Sequence, residues 1–334
     1  SIIARVISYQ KEYPSVDFYK NKIAKAKTIR ETINLPLVDI TNAFRLIYGE
    51  ADGLPGLIII DFYNYHLVVE THTSGMYNDI QLISNAIQEL YGNDLKSIFV
   101  IDKSQNLKNS FYTYKIADLS FPIIIKENGN SFYINWEEGQ KTGFYIDQRD
   151  NRELLQRYAK AKTVLNMFCY TGAFSVYAAK GGADRVISVD SSAEAIQLVN
   201  KNLELNQIDA KYNEPIREEA ISYLNNMPKD YFDLIILDPP AFAKSIDARH
   251  NAIKGYKRIN SVAIEKVKHN GIIFTFSCSQ AVSPSQFEGA IMSAAIEQGR
   301  KIRILHRLTQ APCHAPSLFH LEGYYLKGLV LLVE

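Results

Sequence analysis

Three stretches of this 334-residue chain carry side chains whose types and placement suit joint chemistry. Phe274-Thr275-Phe276-Ser277-Cys278-Ser279 is an apolar run that ends on a thiol between two hydroxyls. A free cysteine is usually a small buried hydrophobe. At the end of such a run, among serines, Cys278 instead reads as a nucleophile exposed in a cleft, since a few per cent thiolate at pH 7 already attacks well. Ile235-Ile236-Leu237-Asp238-Pro239-Pro240-Ala241-Phe242 is a second apolar run, closed by a carboxylate and two prolines that prevent helix entry. That rigid turn offers Phe242 as a platform for a base, where stacking contributes ~1–3 kcal/mol. The plainer alternative is a turn carboxylate beside a core phenylalanine.

The third stretch, Asn166-Met167-Phe168-Cys169-Tyr170-Thr171-Gly172-Ala173-Phe174, is a strand-to-helix turn with one glycine. It lacks the G-x-G-x-x-G pattern that brings backbone against a pyrophosphate, which counts against NAD and FAD. A single glycine suits a cofactor without phosphates. Asp190 follows Gly172 by 18 residues, in position to accept hydrogen bonds from a ribose diol, unless it only caps the next helix. S-adenosylmethionine (SAM) fits this pattern best. A thiol beside SAM has a specific use, because carbon 5 of a pyrimidine is too weak a nucleophile to attack the sulfonium methyl. Thiolate addition at carbon 6 makes an enamine and activates carbon 5. An acid at N3, for which Asp238 is the candidate, stabilises the charge that develops. The target base must first be unstacked, at a cost of a few kcal/mol.

The elements that must hold these residues change character near residue 150. From Thr163 onward, apolar strands at Val164–Phe168, Arg185–Asp190, Asp233–Asp238 and Gly271–Ser277 alternate with helices at 173–180, 193–205, 218–226, 257–268 and 284–298. This rhythm predicts a parallel sheet covered on both faces, with ligands beyond the carboxyl ends of its strands. Two last strands, about Ile302–Leu308 and Tyr325–Val333, are expected to pair antiparallel at the edge. Before residue 150 the pattern is α+β. It has a helix from an Asp17 N-cap to Arg30, a hairpin of 57–60 with 66–70, a helix near 77–91, a strand at 97–101, and a hairpin about Asn128-Gly129-Asn130. The expected division is 1–10, 11–140 and 141–334.

Hydrophobic residues make up 47% and charged residues 22%, which excludes a disordered chain. Lys plus Arg number 37 against 36 acidic residues, so a polyanion must be met by local patches. One such patch is Lys244, Arg249, His250, Lys254, Lys257 and Arg258, directly after the Asp-Pro-Pro turn; the others are Lys20 to Arg30 and Arg300 to Arg307. Each could equally be a solvated face. Three cysteines, Cys169, Cys278 and Cys313, give neither a disulfide framework nor a zinc cluster, and His314 and His320 add too little for a metal site. A cytoplasmic location is expected, with no membrane span.

Several of these stretches, with others, resemble the RlmI-type class I methyltransferases, which form 5-methylcytosine in 23S ribosomal RNA. The resemblance lies in Lys141-Thr142-Gly143-Phe144-Tyr145-Ile146-Asp147-Gln148-Arg149, Leu165 through Phe174, Ser188-Val189-Asp190, Asp238-Pro239-Pro240, Gly255-Tyr256-Lys257, Thr275 through Ser279, Glu322 through Gly328, and Gly49 through Gly56. It implies an α/β fold: a Rossmann-like SAM methyltransferase sheet after a smaller α+β domain. It also implies that Tyr145, Gln148 and Arg149 contact the cofactor, with Asn166, Phe168, Tyr170, Thr171, Gly172, Asp190, Glu219 and Asp238. Cys278 is then the nucleophile and Asp238 its acid partner, while Pro239, Pro240, Phe242, Lys244 and Lys257 face the RNA. The expected partner is large-subunit ribosomal RNA, and a homodimer is left open. The sequence departs from the family in three respects, the first being that Ile101-Asp102-Lys103-Ser104 replaces a more charged family pattern and leaves the middle domain's contribution open. Only the last strand of an N-terminal RNA-binding PUA domain is expected, over Ser1–Tyr9, and Glu218-Glu219 stands where relatives have Asp-Asp. The competing readings are transfer to a base nitrogen, for which Cys278 is dispensable, and a catalytically silent RNA-binding or assembly factor.

Overall fold

The change of rhythm near residue 150 is a change of folding unit. A computed structural model describes residues 4–37, 39–56, 58–104, 109–139, 142–243 and 245–334. It divides into two compact units, Ser1–Asp147 with Ala311–Gly323, and Gln148–Gln310 with Tyr324–Glu334.

The first unit contains α1 (Val16–Glu31), β1 (Ala43–Tyr48), β2 (Ile58–Tyr63), β3 (His66–Thr71), α2 (Ser74–Asn78), α3 (Ile80–Tyr91), β4 (Ser97–Asp102), β5 (Asn109–Lys115), β6 (Ile123–Glu127) and β7 (Asn130–Ile134). β1 to β5 form one sheet in sequence order, antiparallel except where β3 and β4 run parallel across the α2–α3 crossover. β6 and β7 form a separate hairpin, whose Asn128 and Gly129 both take the left-handed conformation that a tight turn requires.

Four expectations need correction here. The N-cap of α1 is Ser15, which accepts from the Phe18 amide at 3.1 Å, rather than Asp17. Arg30 does not share the exposed basic face of α1; it is buried and forks onto Asp52 at 2.6 and 2.8 Å. β2 runs on through Asp61, a residue that reads as turn but is buried between the Arg45 guanidinium, at 2.8 and 2.9 Å, and the Thr142 hydroxyl at 2.6 Å. Residues 4–9, the described part of the strand expected over Ser1–Tyr9, pair with no sheet.

The second unit contains α4 (Arg149–Tyr158), β8 (Thr163–Met167), α5 (Ala173–Lys180), β9 (Arg185–Asp190), α6 (Ala193–Leu205), β10 (Asn213–Arg217), α7 (Ala220–Asn226), β11 (Leu234–Leu237), α8 (Arg249–Lys266), β12 (Gly271–Ser277), α9 (Pro284–Glu297), β13 (Ile302–Leu308) and β14 (Lys327–Val333). The sheet order is β10-β9-β8-β11-β12-β14-β13. Its first five strands are parallel, and β14 enters antiparallel between β12 and β13. The chain winds from β8 toward β10, then returns to the other side of β8 with β11. The switch point therefore lies between β8 and β11, and ligands of such sheets bind beyond the carboxyl ends of those strands. Tyr256, Ile259, Ala263 and Phe287 fill one face of the sheet, and Leu155, Phe174 and Ala178 the other.

The alternation missed two elements and one boundary. β10 carries Pro215, which only an edge strand tolerates. α4 is almost wholly polar, so its buried face consists of Asn151, Arg152 and Leu155 rather than an apolar stripe. α8 begins at Arg249 instead of 257, because Ala252, Tyr256, Ile259 and Ala263 form its buried stripe while the basic residues lie between them.

Candidate active site

Parallel register brings the chemistry-bearing residues to one edge of the second unit. Met167 pairs with Val189 and with Leu237, and Leu237 pairs with Thr275. The residues that follow these ends are Phe168 to Gly172, Asp190, Asp238 and, three positions past Thr275, Cys278.

The turn after β8 is wound tightly. Phe168, Tyr170 and Gly172 all have positive φ, at 58°, 45° and 73°. Two of these are not glycine, and such strain collects where a ligand must be cradled. Gly172 has a second reason to lack a side chain, since a Cβ there would stand 2.9 Å from Val199 Cγ1 on α6. The turn is held down by the Asn202 amide, which donates to the Thr171 carbonyl at 2.8 Å, and by the Cys169 N–H, which donates to the Val189 carbonyl at 3.1 Å. Burial, and then Asp190, push the Cys169 thiol well above its ordinary pKa, so it is inert.

Asp190 is not the helix cap that one reading of the sequence made it. Ser192 caps α6 through the Ala195 amide at 3.1 Å. The Asp190 carboxylate instead ties two loops together, Oδ2 accepting from the Tyr170 N–H and Oδ1 from the Ser192 N–H, each at 3.0 Å. Each oxygen retains acceptor capacity for a hydroxyl, so the pair suits a vicinal diol. The β10 end lies alongside, with Arg217 in register with Asp190 and the Glu218 N–H donating to the Asp190 carbonyl at 3.0 Å. Glu219 is exposed there and caps α7 through the Ser222 N–H at 2.8 Å. One glycine at the turn and a diol acceptor beside it suit a nucleoside without phosphates.

On the other side of the switch point, Asp238 and Cys278 stand on neighbouring strand ends. The Gln148 amide donates to Asp238 Oδ2 at 3.0 Å, and Gln148 is itself held by Asn151 at 2.7 Å, which also reaches the Thr309 carbonyl at 3.1 Å. The Cys278 thiol, half-buried, faces the Pro239 carbonyl at 4.0 Å. Ser279 joins the two loops, its hydroxyl accepting from the Ala243 N–H at 3.1 Å and bonding the Tyr256 hydroxyl at 2.8 Å. Phe242 leans on Tyr256, their ring centroids 4.7 Å apart, where a Cβ on Gly255 would come within 2.9 Å of its ring. The α8 glycine thus makes room for the ring that follows the Asp-Pro-Pro turn.

The other expected residues differ in burial and partners. The Asn166 side chain is buried against Ser175 at 2.9 Å, inside a hydroxyl chain that runs on to Ser188. Lys257 pairs with Glu297 at 3.0 Å, eight residues along α8 from Arg249, or about 12 Å. Arg149 is buried, with Nε on Asp150 at 2.8 Å, at the start of α4. Pro239 is buried and Pro240 exposed, while Tyr145 belongs to the first unit and is half-buried there. Lys244 and Lys141 lie outside the described residues.

Sequence reasoning overlooked Lys327. It opens β14 opposite Ser277, is buried, and donates to the Ser279 carbonyl at 2.7 Å. Burial lowers its pKa to about 8, while the neighbouring Cys278 acts in the opposite direction. A lone cation heading the apolar run Gly328 to Val333 was the available signal.

Comparison with known proteins bears on both units. Residues 118–319 match the family model for S-adenosylmethionine-dependent methyltransferases. A Tolumonas auensis protein named ribosomal RNA large subunit methyltransferase I is 39% identical over 96% of this chain and 82% of its own length. The protein of the same name from Aeromonas salmonicida is 37% identical over 99% of this chain and 84% of its own. Among solved structures, one from Streptococcus mutans assigned as a SAM-dependent methyltransferase superposes with a TM-score of 0.86 at 26% identity, covering 98% of this chain and 84% of that one. A second, solved in complex with SAH, gives the same values.

Proposed function

The chain belongs to the S-adenosylmethionine-dependent methyltransferase family, and we propose that it methylates carbon 5 of a cytosine in large-subunit ribosomal RNA. The observation that carries this reading is the placement of Cys278 and Asp238 just beyond the ends of adjacent strands, with the thiol facing the Pro239 carbonyl of the Asp-Pro-Pro turn. Bound SAM supplies an electrophilic methyl on its sulfonium sulfur. Asp190 takes the ribose hydroxyls, the Gly172 turn takes the rest of the nucleoside, and Gln148 fixes the Asp238 carboxyl group.

Cys278 as thiolate bonds to carbon 6 of the base. Electrons of the 5,6 double bond move toward the N3 side, where the Asp238 acid stabilises them, and carbon 5 becomes the nucleophile. After methylation, loss of the carbon 5 proton expels the thiolate and restores the ring. Phosphate contact falls to the first turns of α8, where Lys254 and His250 are exposed. Of the other basic stretches, Arg300 to Arg307 is occupied within its own unit: Arg303 pairs with Glu334, Arg307 with Glu288 at 2.8 Å, and Arg300 donates to carbonyls that end α8.

Trapping tests this reading. RNA carrying 5-fluorocytosine cannot release the carbon 5 substituent as a proton, so in the presence of SAM, which gives up its methyl and leaves as SAH, enzyme and methylated RNA should accumulate as one covalent species on a denaturing gel. Its formation with wild type and loss with Cys278→Ala is expected; no covalent species with wild type sinks the adduct mechanism.

A further inference from the structure

The buried cation beside the thiol has no part in the chemistry described so far. Lys327 pairs in register with Ser277 and its Nζ donates to the Ser279 carbonyl, so it spans Cys278 from one neighbour to the other. It is 9% exposed, and among the described residues no carboxylate pairs with it. An ammonium buried on one carbonyl is costly, and an apolar side chain of similar length fills such space more cheaply. A charge kept there suits a neighbour that becomes negative.

Resting on the reading of Cys278 as nucleophile, we propose that Lys327 is its positioning residue: the ammonium holds the strand end through Ser279 and stabilises the Cys278 thiolate. A cation next to a cysteine lowers the thiol pKa by favouring the charged form. Because Lys327 itself titrates near 8, the effect fades above that pH. The other titratable groups around the pair are Asp238 beyond β11 and Tyr256 of α8, whose hydroxyl burial holds protonated. Beside β14, Glu288 and Arg307 neutralise each other in the cleft that Lys327 and Tyr324 also line. Lys327 is a cation in electrostatic contact with Cys278 and so favours its thiolate.

Iodoacetamide alkylation of the full chain, read at the Cys278 peptide by mass spectrometry across pH, tests this without SAM or RNA. Cys169 and Cys313 are buried and serve as internal controls. The wild-type midpoint is expected below the ordinary ~8.5. Lys327→Met should raise it by about one unit, roughly tenfold slower alkylation at pH 7. Lys327→Arg should keep it low and extend the effect past pH 8. A wild-type midpoint at or above ~8.5, or an unmoved midpoint in Lys327→Met, overturns the proposal. Should the Met variant not fold, the wild-type midpoint decides alone. Failure of the covalent mechanism shows elsewhere, as methyl transfer that survives Cys278→Ala.

Discussion

Asp190 shows how far a single residue carries the cofactor assignment. Its two oxygens already receive the Tyr170 and Ser192 N–H groups, which aim the carboxylate before any ligand arrives. Asp190→Asn replaces one of those acceptors by a donor and removes the charge that strengthens hydrogen bonds from a diol. SAM affinity measured by calorimetry should fall roughly tenfold or more, since a charge-assisted bond contributes about 1.5–3 kcal/mol. The strand-end places of Cys278, Asp238 and Asp190 were legible in the sequence, because each ends or follows an apolar run. Lys327 and Ser279 were not. Their part depends on β14 entering antiparallel beside β12, which brings Lys327 to Ser279, 48 positions apart, a contact no local pattern encodes.

At the scale of elements, the turn between β8 and α5 is the part the protein strains to build. Gly172→Ala places a side chain in the left-handed region, costing about 1–2 kcal/mol, and drives a methyl toward Val199. Urea unfolding should show that loss, and SAM binding should weaken with it. Adding Val199→Ala relieves the contact but not the backbone, so recovery should be partial. Strand-helix alternation read correctly where helices have apolar stripes, as in α5 and α9. It failed for α4, whose buried face is polar, and for the start of α8, where Arg249 to Lys254 disguise the stripe of Ala252 and Tyr256. In the first unit the misreading was electrostatic, because Arg30 and Asp61 look exposed by type and are buried by pairing. Arg45→Met strands Asp61 without its guanidinium and should cost about 3–5 kcal/mol in chemical denaturation.

For the whole molecule, near-neutral charge hides groups that fix its acid limit. His66, buried beside Ser97 and Trp136, has its pKa lowered by burial to about 4. Glu70, held by His72 and Lys103 against the opposing effect of burial, is lowered to about 2. Between pH 4 and 6.5 the unfolded chain binds a proton at residue 66 that the folded one refuses. Stability therefore falls as pH drops below 6.5, by up to about 1.4 kcal/mol per unit from this group. The Glu70 contribution is lost lower, from about 4.5 toward 2. Thermal melts from pH 7 to 4 should show the decline, and His66→Gln should flatten it. Covalent methyl transfer to carbon 5 is tested most directly with labelled SAM and unmodified large-subunit ribosomal RNA digested to nucleosides. Label in 5-methylcytosine with wild type, and none with Cys278→Ala, is the predicted result. Label in another nucleoside, indifferent to Cys278, would contradict it.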